Sequence, residues 1–512
     1  MKASKNKNGN ESDSDDDEKN NETIVTSYNS STKSCGHVGL KNLGCICYMN
    51  SIMQQLYMIP TFRYAIMSAD DGKDPNPKSN YHYSVDDDNL LHQLQNMYTY
   101  LTFSDKMDYN PRDFCFSYKD LDGNPINVRA QQDSQEFYNN LCDKIENSLK
   151  ETKFKYIVSD VFSGKNCSSL ICENCKYISN RFEDYYNLTL EVKNINNLKD
   201  SLLKLNVPEV ISDFKCSNCG QKVTINKITS LNKLPNVLVV HLKRFYLDYE
   251  TCHTTKINTK MEFPTKINLK EFCIEEITKN YSVSKDEAID DIYTRQDEYY
   301  QYELKGINIH TGSADGGHYF SYIDSSRDGT GNILEVSPNG KDSWLTFNDS
   351  QVSEFDTDKI PSECFGGNTE GYSFENCQNA YLLFYERRKK EPIRILLDEN
   401  EKKNVEENKS NEIIKINKDN RTKIYKEYDL SRVGNTIDEQ TLYGKIFYDE
   451  EKEEYYKYIP YYNIPRYAPK KYYNEVMKDN NKKSENKADN KMNRQLLKKW
   501  QIQMKKKQSR VK

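Results

Sequence analysis

The chain has 512 residues, a formal net charge of −5 and 36 % hydrophobic residues. Its 73 basic side chains are outnumbered by 78 acidic ones, which excludes a protein that coats nucleic acid through bulk positive charge. No stretch approaches the roughly 18 uninterrupted apolar residues of a membrane span, and the start "MKASKNKNGNESDSDDDEKNN" lacks the apolar core of a signal peptide.

With no export signal, a reducing cytoplasmic or nuclear setting is expected, and the 14 cysteines read as metal ligands, a nucleophile or small buried groups. Residues 1–34, with the run "ESDSDDDE", predict a disordered acidic arm. Helices are predicted after Cys47 ("YMNSIMQQLYMI"), at "NLLHQLQNMYTYL" and at "SQEFYNNLCDKIENSLK", where Phe137, Leu141, Ile145 and Leu149 recur at helical spacing. Strands are predicted at Asn236–Leu242, Tyr302–His310, His318–Asp324 and Ala380–Glu386, all rich in β-branched and aromatic residues. Helices come early and strands late, so the expected class is α+β. "SADDGKDPNPKSN" and "EEITKNYSVSKDEAIDDIYTRQDEYYQ" read as surface insertions. After Arg388 a Lys-, Asn- and Tyr-rich extension runs to Lys512, partly disordered. Its last 31 residues, Lys482–Lys512, hold twelve basic and two acidic side chains, a solvated tail or a contact for an acidic partner.

"CENC" (Cys172, Cys175) and "CSNC" (Cys216, Cys219) are two Cys-x-x-Cys hooks with forty residues between them. Each hook turns two sulfurs toward one point, which suits a single tetrahedral Zn²⁺ site. Four thiolates close the coordination sphere, so such a zinc is structural. Cys167 is out of register with the hooks.

Two cysteines, Cys45 and Cys47, stand in "GLKNLGCICYMNS". Among seven histidines, His318 is singled out by "TGSADGGHYFSY": two glycines precede it and a strand begins there. His82, His92, His241, His253 and His310 read as ordinary surface or core residues. Downstream, "WLTFNDS" offers Asn348 and Asp349 to orient an imidazole. The chemistry is that of a Cys–His–Asn/Asp arrangement.

Together these segments resemble the ubiquitin-specific protease family of deubiquitinating cysteine peptidases. Gly39–Ser51 resembles its Cys box and "QQDSQEF" (Gln131–Phe137) its Gln-rich box. "LKRF" (Leu242–Phe245), "GGHYFSY" and "NAYLLFYE" (Asn379–Glu386) follow in the family's order, with the hooks between the Gln box and LKRF. The phrasing "QQLYMIP" and "HTGSADGGHY" is most similar to the large fat-facets-type members. The resemblance implies a papain-like fold of thumb, palm and fingers. A helical thumb covers about 35–155, zinc-braced β fingers about 156–240 and an antiparallel β palm about 241–388.

The resemblance places the nucleophile on Cys47, the base on His318 and the orienting residue on Asn348, with Asp349 as its auxiliary. The oxyanion donor falls on Asn42, an effect of about 3 kcal/mol in analogous hydrolases. Physical chemistry agrees. Cys47 opens a predicted helix, where the dipole and free N–H groups favour a thiolate. The family usually carries Asn or Ala, then Thr, where this chain has Cys45 and Ile46. Cys45 has three readings: a small packing residue, a redox partner for oxidised Cys47, or the nucleophile itself, disfavoured because it precedes the helix. A metal pair with Cys35 or His37 lacks a second hook. Ile46 removes a hydroxyl, so lower activity is expected.

The implied partners are ubiquitin and ubiquitinated proteins, and the reaction is hydrolysis after ubiquitin's terminal glycine, with no catalytic cofactor. Ubiquitin's tail, Leu-Arg-Leu-Arg-Gly-Gly, calls for a narrow channel and carboxylates for the arginines. Asp133 matches the family's tail-binding acid, and Glu136 assists or is a plain helix residue. Gln132 is expected to bond the tail backbone. Gly316 and Gly317 are expected on one wall, with Phe245 and Tyr319 lining the channel or sitting in the core. The competing readings are a ubiquitin-binding pseudoenzyme and a peptidase for another ubiquitin-like modifier.

Overall fold

A computed structural model describes residues 34–73, 89–248, 250, 252–277, 295–328, 343–368, 375–408, 413–420, 423–424, 428, 442–461 and 476–477. The acidic arm, His82, most of both insertions and the basic tail lie outside the described residues.

Six helices come first: α1 (Cys47–Tyr57), α2 (Pro60–Ser68), α3 (Leu90–Phe103), α4 (Arg112–Ser117), α5 (Ser134–Leu149) and α6 (Ile157–Phe162). Two short parallel strands, β1 (Gly39–Leu40) and β2 (Asp108–Tyr109), close the lobe beside α1. α1 is buried along its whole length. Its buried amide side chains are held by hydrogen bonds through their N–H groups. Gln54 Nε2 donates to the Val38 carbonyl at 2.9 Å, and Asn50 Nδ2 donates to the Asp349 carboxylate at 2.8 Å. α5 buries Phe137, Leu141, Ile145 and Leu149, the predicted stripe. Burial of one such side chain stabilises by about 1.5–3 kcal/mol. The helix starts where Asp133 Oδ1 accepts the N–H groups of Gln135 (2.7 Å) and Glu136 (3.4 Å).

Next come β3 (Gly164–Cys172), β4 (Ile178–Tyr185), β5 (Leu188–Glu191), α7 (Leu198–Leu205), β6 (Glu209–Lys215) and β7 (Lys222–Lys233). Four of these strands form a separate hairpin sheet of order β4-β3-β7-β6.

β8 (Val237–Lys243) enters the central sheet, and β9 (Phe245–Asp248) pairs with β10 (His253–Lys256) as a hairpin at its rim. β11 (Lys266–Asn268), α8 (Ile274–Ile277), β12 (Gln301–Gly312), β13 (Gly317–Asp324), β14 (Trp344–Asn348), β15 (Gln351–Glu354), α9 (Ile360–Cys364) and β16 (Gln378–Arg387) complete it. The strand order is β15-β14-β13-β12-β16-β8-β5, with β11 beside β12. All four predicted strands fall in this sheet. Val237 and Val239 face the helical lobe's core, whereas Leu238, Val240 and Leu242 face a second core on the other side. Burial on both faces explains the uninterrupted apolar run of β8.

The strands of this sheet after β8 pair only in antiparallel fashion, and β5, from before them, joins β8 in parallel. The second insertion, expected on the surface, is not wholly there. Its ends fold into the core, with Glu275, Tyr299 and Tyr300 buried.

Beyond Arg388 the chain keeps folding. β17 (Ile393–Leu396), α10 (Glu399–Asn408), β18 (Ile413–Ile416), β19 (Ile446–Asp449) and β20 (Glu454–Ile459) make a third sheet of order β17-β20-β19-β18. Ile393, Ile395 and Tyr461 enter the helical lobe's core. Arg394 grips Asp160 of α6 through Nε at 2.9 Å and through Nη2, and its guanidinium lies 4.2 Å from the Tyr156 ring centroid. Glu454 accepts from Lys155 and from Tyr156 Oη. No helix among the described residues is long and apolar enough to cross a membrane.

Candidate active site

Cys47 is the first residue of α1, and the residue before it, Ile46, contributes no side-chain cap. Instead Asn42 Oδ1 accepts the N–H groups of Gly44 (3.0 Å) and Ile46 (3.2 Å). The loop is held on its other side by Cys45 N–H, which donates to the Val128 carbonyl at 2.7 Å. Gly44 has φ +150°, and a Cβ there would sit 2.4 Å from that same carbonyl. The sulfur of Cys47 is therefore placed by a wedge that only glycine fits.

His318 projects from β13 beside it. Its Nε2 lies 2.7 Å from Asn348 Oδ1, at the end of β14. That leaves Nδ1 for the Cys47 thiol. The Cys47 hydrogen bond is the largest influence on the imidazole. Together with Asn348 and the nearby charge of Asp349, it outweighs burial and raises the His318 pKa to about 9. Asp349 stands 3.9 Å from Nε2, in a left-handed backbone turn with φ 49°. Its carboxylate is shared between Asn42 Nδ2 (3.0 Å) and Asn50 Nδ2 (2.8 Å). Cys47, His318, Asn348, Asp349 and Asn42 are thus brought together.

Two residues of this site were missed from the sequence. Asn50 lies about one helical turn after Cys47, so a polar residue on the Cys47 face of a buried helix is the available signal. Gln131 stands beside Gln132 in the Gln-rich box, and nothing local to the box distinguishes the two. Gln131 Nε2 is 3.7 Å from Cys47 Sγ and 3.1 Å from the Gly317 carbonyl, and Gly317 N–H donates back to Gln131 Oε1 at 3.1 Å.

The expected substrate-contacting residues divide. Gln132 and Glu136 are exposed. Asp133 is half-buried, engaged as the α5 cap and as the acceptor for Tyr381 Oη. Gly317 has its own packing reason to be glycine: a Cβ would lie 2.5 Å from His310 Nε2. Gly316 is exposed, and a Cβ there would meet open space. Tyr319 is 2 % exposed and packs on His310 at 4.6 Å, which makes it core behind the site. Phe245 is half-buried, with its ring 5.1 Å from Tyr381. His310, expected to be structural, is buried in the same aromatic group, and burial lowers its pKa to about 3.

The four hook cysteines meet at the tips of the hairpin sheet. Cys172 and Cys175 occupy the β3–β4 turn, and Cys216 and Cys219 the β6–β7 turn. Each turn repeats one pattern: Lys176 N–H donates to the Cys172 carbonyl (3.0 Å) and Gly220 N–H to the Cys216 carbonyl (2.9 Å). The four sulfurs lie within 4.8 Å of one another, close enough to share one metal ion. Cys167 is buried in β3, away from them.

The profile of one family, "Ubiquitin carboxyl-terminal hydrolase", matches residues 38–385. The chain belongs to that family. It is similar to ubiquitin carboxyl-terminal hydrolase 34 of Homo sapiens, 34 % identical over 373 residues, which cover 69 % of this chain and 10 % of the relative. It is similar to ubiquitin carboxyl-terminal hydrolase puf of Drosophila melanogaster, 32 % identical over 392 residues, covering 69 % and 9 %. The probable ubiquitin carboxyl-terminal hydrolase FAF of the same fly is 30 % identical over 420 residues, covering 70 % and 14 %. The hydrolase domain therefore spans only about a tenth of the length of such relatives.

Proposed function

We propose that this hydrolase-family chain is a deubiquitinase that cleaves isopeptide or peptide bonds after the terminal glycine of ubiquitin. The observation that carries the reading is the Cys47–His318–Asn348 alignment. Cys47 as thiolate attacks the glycine carbonyl carbon. The oxyanion draws on the second N–H of Asn42 Nδ2, whose first is committed to Asp349. The His318 imidazolium gives its proton to the leaving amine, and an acyl-enzyme remains on sulfur. Neutral His318 then takes a proton from water, which attacks the thioester and frees the ubiquitin carboxylate.

The helical lobe is the thumb of this reading, the hairpin sheet the fingers and the central sheet the palm. Zn²⁺ is the metal proposed for Cys172, Cys175, Cys216 and Cys219, because four sulfurs with no oxygen donor favour it over harder cations. It would cross-link the two hairpin tips. Asp133, Gln132 and Glu136, at the start of α5 close to Gln131, are the proposed contacts for the arginine-bearing tail. A reducing compartment, cytoplasmic or nuclear, fits the unpaired thiols of Cys47, Cys115, Cys142, Cys167, Cys273 and Cys364.

The test is ubiquitin carrying a fluorogenic C-terminal amide. The wild-type chain releases the fluorophore and Cys47→Ala does not, while Cys45→Ala retains turnover. Tight ubiquitin binding without turnover in wild type would instead favour a pseudoenzyme.

A further inference from the structure

Gln131 lies on the loop before α5, on the helical side of the cleft. Gly317 opens β13, on the sheet side. The amide joins them by two hydrogen bonds of 3.1 Å in opposite senses, N–H of Gly317 to Oε1 and Nε2 to the Gly317 carbonyl. Nε2 carries a second hydrogen, and Cys47 Sγ lies 3.7 Å away, within reach of an N–H···S bond. Both hydrogens and the acceptor of this amide are thereby used. The orientation is dictated: a flipped amide would set Oε1 against both the Gly317 carbonyl and the sulfur.

The loop that carries Gln131 is also registered to the nucleophile independently. Cys45 N–H bonds the Val128 carbonyl, and Gly44 abuts that same carbonyl. Ala130 N–H returns to the Asn127 carbonyl at 3.1 Å, which tightens the turn between Val128 and Gln131. Gly317 immediately precedes His318. One amide thus spans the nucleophile and the backbone of the base.

We propose that Gln131 is a catalytic residue: Nε2–H donates to the Cys47 sulfur and stabilises its thiolate, and the clamp on Gly317 fixes the spacing of nucleophile and base. No covalent step is added to the reaction. The donor favours the anion from which attack starts, because a hydrogen bond to a charged acceptor is stronger than one to a neutral thiol. This inference rests on the reading of Cys47 as the nucleophile.

The experiment is the pH dependence of Cys47 alkylation by iodoacetamide in the full chain, read by fragmenting the peptide that holds both Cys45 and Cys47. Gln131→Met keeps the volume without the donor. Gln131→Asn keeps the amide but falls short of the sulfur by one methylene. In both, the acid limb of the Cys47 profile moves to higher pH, and the rate near pH 5.5 drops about tenfold. Melting temperature is read alongside, and if one variant fails to fold the other decides. An acid limb unchanged from wild type in a folded variant overturns the proposal. The assay needs no ubiquitin, so the two failures separate. A wild-type Cys47 no more reactive at acid pH than an ordinary thiol sinks the nucleophile reading, whereas a reactive Cys47 indifferent to Gln131 sinks only this inference.

Discussion

Asn348 Oδ1 sits 2.7 Å from His318 Nε2, which turns the opposite ring nitrogen toward Cys47. The pairing depends on strand register, because β13 and β14 are antiparallel neighbours with Ser321 opposite Phe347. Asn348→Ala removes the acceptor and frees the ring to rotate. We expect a loss of about 10²-fold in kcat/KM on fluorogenic ubiquitin, with ubiquitin affinity little changed. A variant as active as wild type would remove Asn348 from the mechanism.

The pH profile follows from the imidazole. His318 is held protonated up to about 9, against an ordinary value near 6.5. In the proposed reaction protonated His318 donates to the leaving amine, so kcat/KM is expected to fall as pH rises through about 9. The same shift contributes to stability in one direction. A folded-state pKa raised above the unfolded value favours the fold fully below pH 6.5 and loses that contribution as pH rises through about 9. The melting-temperature gap between wild type and His318→Ala should therefore be largest at pH 6 and vanish above pH 9.

Asp133 illustrates why an alanine scan misleads here. It caps α5 and accepts from Tyr381, so Asp133→Ala loses about 1 kcal/mol of stability whatever its role toward substrate. Asp133→Asn retains a capping oxygen and removes the charge. If the carboxylate meets ubiquitin's arginines, Asp133→Asn raises KM for ubiquitin while its melting temperature stays close to wild type. An unchanged KM would confine Asp133 to the cap.

The four-cysteine site predicts one zinc per chain by elemental analysis of purified protein. Chelation or Cys216→Ser should lower the melting temperature and weaken ubiquitin binding more than it slows alkylation of Cys47, because the hooks belong to a sheet separate from the one that carries His318. A metal-free chain of unchanged stability would refute the site.

The third sheet is fastened to α6 by the Arg394–Asp160 pair, whose acid is almost buried. Arg394→Met leaves that carboxylate with the backbone N–H of residue 394 but without its counter-charge, and we expect a loss of about 3 kcal/mol in chemical denaturation. Truncation after Arg388 also strips Ile393, Ile395 and Tyr461 from the helical core and should lower expression and melting temperature together. A truncated chain as stable as the whole would show the sheet to be an appendage.

Local signals in the sequence were sufficient for the long elements. α5 was readable from its four-residue stripe, and β8 from its apolar run. The hooks were readable because Cys-x-x-Cys geometry is local. What was not legible depended on contacts distant in sequence. Sequence leaves Tyr319 open between channel and core, because its neighbours His310 and Tyr381 come from other strands, and Tyr299 and Tyr300 sit in a polar segment whose ends turn inward. Gln131 and Gly317 are 186 residues apart, so nothing in either segment announces their pairing. Arg394 gave no sign of Asp160 for the same reason.

The central claim is that Cys47, and not Cys45, attacks the carbonyl carbon of ubiquitin's last glycine. It is tested most directly by ubiquitin bearing a C-terminal propargylamide, which couples covalently to an attacking thiolate. Incubation with the wild-type chain, followed by digestion and fragment mass spectrometry, should place a single ubiquitin remnant on Cys47, with no adduct in Cys47→Ala and a normal one in Cys45→Ala. A remnant on Cys45, or an adduct that persists in Cys47→Ala, would contradict the account.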